Sequence, residues 1–305
     1  MPKRGKRMNN THKIKWYQLV FEQLQPLHIG KLNYGVIAET EIFIPGQTIW
    51  GALTKSYNLL NKTDLNNNQN LFSTITCFFP SFDGKDILAP SFKDGLLYLG
   101  ENITEDEFKF AFLDTVVSTA IIPLARSALD ESLHEIDFLL PRPKNELPEK
   151  NIYKETALKW IGLVGIEENN SAIDNFCQED KLRISIGGEI KYGAGLLRLK
   201  TVKKIDTQEL EKWNLNEKGE LFINNTTKNY LRNFVQITPE TEIKWIGKIV
   251  PLAEFDFTSN TPKIKEASFY ISIGSNIYTE TDHNHIIDKY RLFKGKFRLL
   301  NSSQS

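Results

Sequence analysis

The segment GGEIKYGAG, Gly187 to Gly195, constrains this chain most, because four glycines flank Lys191-Tyr192 directly ahead of the strand-like run Leu196–Leu199. Glycine has no Cβ, so it takes up positive φ without strain and lets other backbone approach closely. A loop of this kind can turn bare amides toward a phosphate, while Lys191 adds charge and Tyr192 a ring on which a base can stack. Gly187, Gly188, Gly193 and Gly195 are therefore candidate RNA-binding positions together with Lys191 and Tyr192. The alternative is a glycine-rich hairpin whose charges face water.

A second element runs from Pro26 to Leu60: PLHIG, a variable stretch, then EIFIPGQTIWGALTKSYNLL. Tyr17–Leu24 is rich in aromatic and β-branched residues and predicts a strand ending at Pro26. Glu41–Ile44 predicts a shorter extended run broken by Pro45-Gly46. Ile49, Trp50, Leu53, Tyr57 and Leu60 recur at helical spacing, so Gln47–Leu60 predicts a helix with one face on a sheet. Gln47 and Thr48 fall at its N-terminus, where free amides and the helix dipole favour an anion.

In this order the motifs resemble the RAMP superfamily of CRISPR-associated proteins, whose members assemble along guide RNA in type III effector complexes. PLHIG followed by IPGQTIWGAL is similar to the family's N-terminal signature, and the glycine segment to its G-rich loop before a terminal strand. TAIIPLARSALDESLHEIDFLLPRP followed by KWIGLVGI is similar to its middle region, in which a basic residue and a small-residue stretch precede two strands. The resemblance implies an α+β fold with a ferredoxin-like, RNA-recognition-like core over 15–203. It also implies a proline-punctuated insertion near 119–164, carrying a thumb-like hairpin that contacts RNA. Residues 1–14 read as a flexible basic arm with Lys3, Arg4, Lys6 and Arg7, and 204–305 as a β-rich extension or small second domain.

Within the middle region, Pro141–Pro148 holds three prolines with Arg142 and Lys144 and predicts an extended protrusion, a candidate RNA contact or a plain surface loop. Arg126 can meet phosphate, or pair with Asp130 one helical turn on. Thr104–Thr115 predicts a second helix, with Thr104 and Glu107 spaced as a capping box. Thr207–Trp213 predicts a short capped helix, and Glu242–Ile249 and Ala267–Ile273 predict strands. The polar run DLNNNQN, from Asp64, predicts a loop closing the first helix.

Lys and Arg total 38 and Asp and Glu 38, a net charge of zero, so RNA contact must come from local patches rather than bulk charge. Cys77 and Cys177 are too few and too isolated for a disulfide framework or zinc site, in keeping with a reducing cytoplasm. No apolar run is long enough to span a bilayer and MPKRGKRMNN lacks a signal-peptide core, so no membrane partner is expected. Asp282, His283, His285 and Asp288 are close in sequence, but their spacing matches no metal motif; neither a metal nor a cofactor is expected.

Some RAMP subunits cut target RNA with an Asp in the loop after the His-Gly motif. Here that loop, KLNYGVIAETE, begins at Lys31, a candidate RNA contact, and carries Glu39 and Glu41 but no Asp. The resemblance therefore implies a non-catalytic, RNA-binding subunit, most like the guide-capping type III-D Cas-five-like group. Its partners would be guide RNA, target RNA and other effector subunits. His28 is a candidate RNA contact; as an imidazole it also leaves open a metal-independent endoribonuclease acting on repeat RNA. The zero charge leaves open a protein scaffold without RNA.

Overall fold

The computed structural model describes residues 13–64, 66–168, 170, 172–224, 229–256, 261, 263–279 and 285–300; the basic residues of the expected N-terminal arm, together with Asp282 and His283, lie outside them. The fold is mixed α+β and rich in strands.

The first strand, β1 (Ile14–Gln23), extends further toward the N-terminus than its aromatic run predicts. β2 (Gly30–Tyr34) and β3 (Ile37–Thr40) form the hairpin after PLHIG, so the extended run precedes Glu41. Residues 41–43 belong to no strand, and Ile44 makes an isolated bridge to Phe78. Helix α1 (Gly46–Leu60) buries Ile49, Ala52 and Leu53, as the spacing requires. It leads to β4 (Phe79–Ser81). A small sheet, β5 (Pro90–Lys93), β6 (Leu96–Leu99) and β7 (Ile103–Thr104), precedes α2 (Glu105–Phe112). That helix has the reciprocal capping box: the Glu107 amide donates to Thr104 Oγ1 at 3.2 Å, and Glu107 Oε2 accepts from the Thr104 amide at 2.8 Å.

After α2 the chain forms a long nested hairpin from β8 (Leu113–Ser118), β9 (Ile121–Ile122), β10 (Ser127–Ala128) and β11 (His134–Leu139). Residues 119–131 are exposed throughout. The protrusion is therefore here, and Pro141–Pro148 is not one. That segment is a strap along α2: the Leu140 amide donates to Phe112 O and the Lys144 amide to Ala111 O, both at 2.8 Å. Pro143 is buried. Proline removes donors, but its neighbours keep theirs, and these are what pin the strap. Arg126 lies in the hairpin turn with φ +50°, so it has no helical partner in Asp130.

KWIGLVGI forms the strand β12 (Lys159–Glu167), which follows β11 in the chain. It is buried almost end to end because it is internal to its sheet and covered on both faces. α3 (Ala172–Phe176), β13 (Arg183–Ser185) and β14 (Leu196–Lys204) complete this half. The resulting five-stranded sheet has the order β13-β14-β1-β12-β4, and every neighbouring pair is antiparallel.

Beyond residue 204 the order is α4 (Thr207–Glu211), β15 (Glu220–Ile223), β16 (Phe234–Gln236), β17 (Lys244–Ile246), β18 (Ile249–Asp256), β19 (Lys263–Ile271), β20 (Asn276–Tyr278), β21 (His285–Phe293) and β22 (Lys296–Leu299). The strand expected over Glu242–Ile249 is split at Gly247, and His285 and Asp288 stand in strand β21. A six-stranded sheet, β15-β21-β22-β16-β19-β18, gathers most of these. It packs on the first half through one continuous buried cluster, in which Phe43 meets Phe234 at 6.1 Å and Phe79 meets Trp213 at 5.7 Å between ring centroids.

Candidate functional site

The glycine segment and PLHIG, some 160 positions apart in the sequence, are bound to each other. The Gly188 amide donates to His28 O at 2.9 Å and the Gly195 amide to Pro26 O at 2.8 Å; the Leu24 amide returns a bond to Leu196 O at 2.9 Å. Glycine is required by contact as well as by φ. A Cβ on Gly187, at φ +82°, would lie 2.2 Å from His28 O, and one on Gly195, at φ +85°, 2.2 Å from Ile186 O. The amides of Gly188 and Gly195 therefore hold the loop together instead of facing a ligand. Between them Ile190–Tyr192 makes one 3₁₀ turn, flanked by Glu189 and Gly193 in the left-handed region. That turn lifts the Tyr192 side chain outward, 87% exposed.

His28 Nδ1 stands 2.8 Å from the carbonyl of Asp137, so Nδ1 carries the proton and donates. The ring also tilts against Phe138, 5.9 Å between centroids. His28 thus ties β11 to the glycine segment, since the same residue's carbonyl accepts from Gly188.

Between the glycine segment and the β8–β11 pair lies a cleft of about 690 Å³. Val116, Ile136, Phe138 and Pro26 supply its apolar wall, Tyr192 and Gly193 its rim, and Asp114, His134 and Glu189 its polar groups. Lys144, a candidate RNA contact, is 3.2 Å from Asp114. Arg142 is exposed on the strap. A flat, partly apolar group with hydrogen-bond donors on its edge suits this cleft; a phosphate does not.

The remaining candidates are placed elsewhere. Lys31 sits between Glu39 at 3.9 Å and Glu105 at 3.8 Å, and Lys109 pairs with Glu105 at 2.8 Å. Burial pushes the Glu41 carboxyl up to about 6, against the opposing pull of Lys31. Arg126 stands at the tip of the hairpin. Gln47 and Thr48 do begin α1, but that end of the helix is covered. The Gly46 amide points at the buried Cys77 Sγ at 3.3 Å, and the Thr48 amide donates to Pro45 O at 2.9 Å. Gln47 Oε1 accepts from Lys296 Nζ at 3.1 Å. The β21–β22 turn lies directly over it, and a Cβ on Gly46 would fall 2.5 Å from Gly295 Cα.

Beside that turn is a network the sequence did not single out. Glu254 receives Arg298 at 2.9 Å and Lys294 at 3.4 Å, and the Lys294 ammonium lies 3.4 Å over the Trp50 ring. Burial acts to raise the Glu254 carboxyl, but the Arg298 hydrogen bond and charge, aided by Lys294 and Lys296, hold it down to about 2. Burial lowers Lys296 to about 8. Its members come from α1, β18, the β21–β22 turn and β22, and no local spacing in the sequence signals such a cluster.

No helix among the described residues is long and apolar enough to cross a membrane. No protein-family model matches the chain, and no curated protein matches it. Solved structures do. A chain of the cryo-EM structure of the type III-B Cmr-beta bound to cognate target RNA and AMPPnP aligns with a TM-score of 0.55 at 18% identity, over 85% of each chain. A chain of the type III-B Cmr-beta bound to cognate target RNA aligns at 0.54 and 17%, over 85% of this chain and 86% of that one. At such identities what is shared is the fold: this chain has the strand-rich α+β architecture of those Cmr-beta chains.

Proposed function

We propose that this protein is a non-catalytic, RNA-binding subunit of a type III CRISPR effector complex that holds guide RNA and takes part in antiviral defence. On this reading its partners are guide RNA, target RNA in the assembled complex and the other effector subunits, and it works in the cytoplasm. The observation that carries the reading is the clasp between the glycine segment and PLHIG, which presents Tyr192 at the rim of a partly apolar cleft. An exposed ring on a rigid loop is a stacking platform for an unpaired base. The likeness to chains of structures bound to target RNA supports the same assignment.

The core is proposed to be ferredoxin-like. Its support is the order β14-β1-β12-β4, which reads 4-1-3-2 when the four strands are numbered along the chain, with α1 between the first two and α3 between the last two. Residues 15–203 then form the RAMP domain and 204–305 the extension. The hairpin β8–β11, with Arg126 at its tip, fills the role of the thumb. On this reading Lys191, Arg142 and Lys144 are the cations that meet an RNA strand lying over the cleft, and His28 positions the loop.

The test is fluorescence anisotropy with labelled single-stranded RNA. Tyr192→Ala should weaken binding about tenfold, the effect of losing one stacked base, with an unchanged circular dichroism spectrum. Equal affinity for the variant and the parent would remove Tyr192, and with it the cleft, from the interface.

A further inference from the structure

At the far end of β1 from the glycine segment lies a second cleft, of about 1000 Å³, bounded by Ile14, Gly165, the loop 66–71, Lys218 and Arg291. Its wall is the asparagine-rich run that reads from sequence as a plain loop. Buried Asn58 makes it rigid. Asn58 Nδ2 donates to Asn67 O at 2.7 Å, and Asn58 Oδ1 accepts from Asn68 Nδ2 at 2.7 Å and from Thr63 Oγ1 at 3.0 Å. Trp50 Nε1 adds a bond to Gln69 O at 2.7 Å, and Asn68 takes the left-handed conformation with φ +56°. The loop backbone is thereby held by the protein. Asn66, Asn67, Gln69 and Asn70 all line the cleft and are exposed, and their carboxamides make no hydrogen bond among the described residues.

We propose that this cleft is a second contact for single-stranded RNA, one that reads base edges and ribose hydroxyls through carboxamides. This rests on the RNA-binding reading given above. A carboxamide offers a donor and an acceptor side by side, the pairing that base edges and the 2′-hydroxyl present. Lys218 and Arg291 face the loop from the other half of the protein and can meet the backbone phosphates, although Arg291 also pairs with Glu220 at 3.2 Å and Glu167 stands on the same wall. With so little net charge the contact depends on hydrogen bonds more than on counterion release, so it should persist as salt rises. The apolar lining is confined to Ile14 and Leu71, a poor seat for the aromatic or aliphatic anchor of a protein partner.

β1 joins the two clefts. Its ten residues place them roughly 30 Å apart along the strand, and one RNA can occupy both only if it spans that distance. Two linked contacts raise the effective concentration for the second.

The experiment compares labelled oligouridylates, one too short to bridge the clefts and one long enough, on the whole chain and on the exposed-side-chain variant Asn66→Ala/Asn70→Ala/Lys218→Glu. The parent should bind the long RNA at least about tenfold more tightly than the short one, and more than half of that gain, on a logarithmic scale, should survive a doubling of salt. The triple variant should bind the short RNA like the parent and lose the gain. Retention of the full gain by a folded triple variant overturns the inference while leaving the RNA-binding reading standing. If the variant binds both RNAs normally but no longer enters a reconstituted effector complex, the cleft is a protein contact and the inference is again overturned. If the parent binds neither RNA, the RNA-binding reading fails and takes this inference with it.

Discussion

The carbonyl of His28 accepts the amide hydrogen of Gly188 at 2.9 Å and lies where a Cβ on Gly187 would have to be. One oxygen thus decides both the identity of a residue some 160 positions away and the shape of the candidate interface. His28 is anchored on its other side by the Nδ1 bond to Asp137. Strand β11, PLHIG and the glycine segment form one mechanical unit, and Tyr192 rides on it.

The clasp separates the glycines by stability. Gly187→Ala and Gly195→Ala each meet a carbonyl oxygen at 2.2 Å and should cost roughly 3 kcal/mol or more. Gly193→Ala has no atom within 4 Å and should cost only the left-handed penalty of about 1–2 kcal/mol. Urea denaturation of the three variants measures this; equal losses at all three would mean that the loop is not held as described.

Glu41 should make the protein less stable as pH rises. Its carboxyl is raised from 4.5 to about 6, chiefly by burial, so between those values the native state binds more protons than the unfolded chain. Stability contributed by this group is therefore greatest below about pH 4.5 and declines through pH 6. Glu41→Gln should be about 1–2 kcal/mol more stable than the parent at pH 7 and nearly equal to it at pH 4. A variant with no such pH-dependent difference in melting temperature contradicts the assignment.

The network at the β21–β22 turn makes stability rise with pH in two separate windows. Glu254 is held at about 2, so its contribution is complete above pH 4.5 and drains away as pH falls toward 2. Replacing it with Gln leaves Lys294 largely buried without this counter-charge and Arg298 with Glu266 alone, 3.3 Å away, at a cost of about 3 kcal/mol at pH 7. Lys296, lowered to about 8, is deprotonated in the native state before the unfolded chain loses its proton at 10.5. Stability from this group should rise from pH 8 to pH 10.5, and Lys296→Met should flatten that rise. Denaturation midpoints across the two windows check both signs.

Assembly should govern affinity. With 38 cationic and 38 acidic side chains, the isolated chain has little bulk attraction for phosphate and should bind single-stranded RNA no more tightly than about micromolar at physiological salt. Adding the neighbouring effector subunits should tighten binding by about a hundredfold through linked contacts. Nanomolar binding by the chain alone, with no gain from neighbours, would count decisively against a role as an assembly subunit.

Local chemistry was legible in the sequence. The apolar spacing of Ile49 and Leu53 marks the buried face of α1, the Thr104–Glu107 pair marks the start of α2, and the aromatic run in Tyr17–Leu24 marks β1, because each depends on neighbours within a turn or along one strand. The two motifs of the candidate site were legible as motifs, and their partnership was not. Nothing in GGEIKYGAG shows that the amides of Gly188 and Gly195 would be taken by His28 and Pro26. Nor does IPGQT show that a turn ending at Gly295 would cover Gly46 and place Lys296 against Gln47. The prolines of Pro141–Pro148 suggest a protrusion because proline removes a donor within its own segment; the remaining amides there find acceptors on α2, and the free hairpin forms upstream. Sequence periodicity reports which face a residue occupies. Which distant carbonyl satisfies a given amide is decided only when the sheets pack, because every buried donor must then find an acceptor and the nearest one in space is seldom the nearest along the chain.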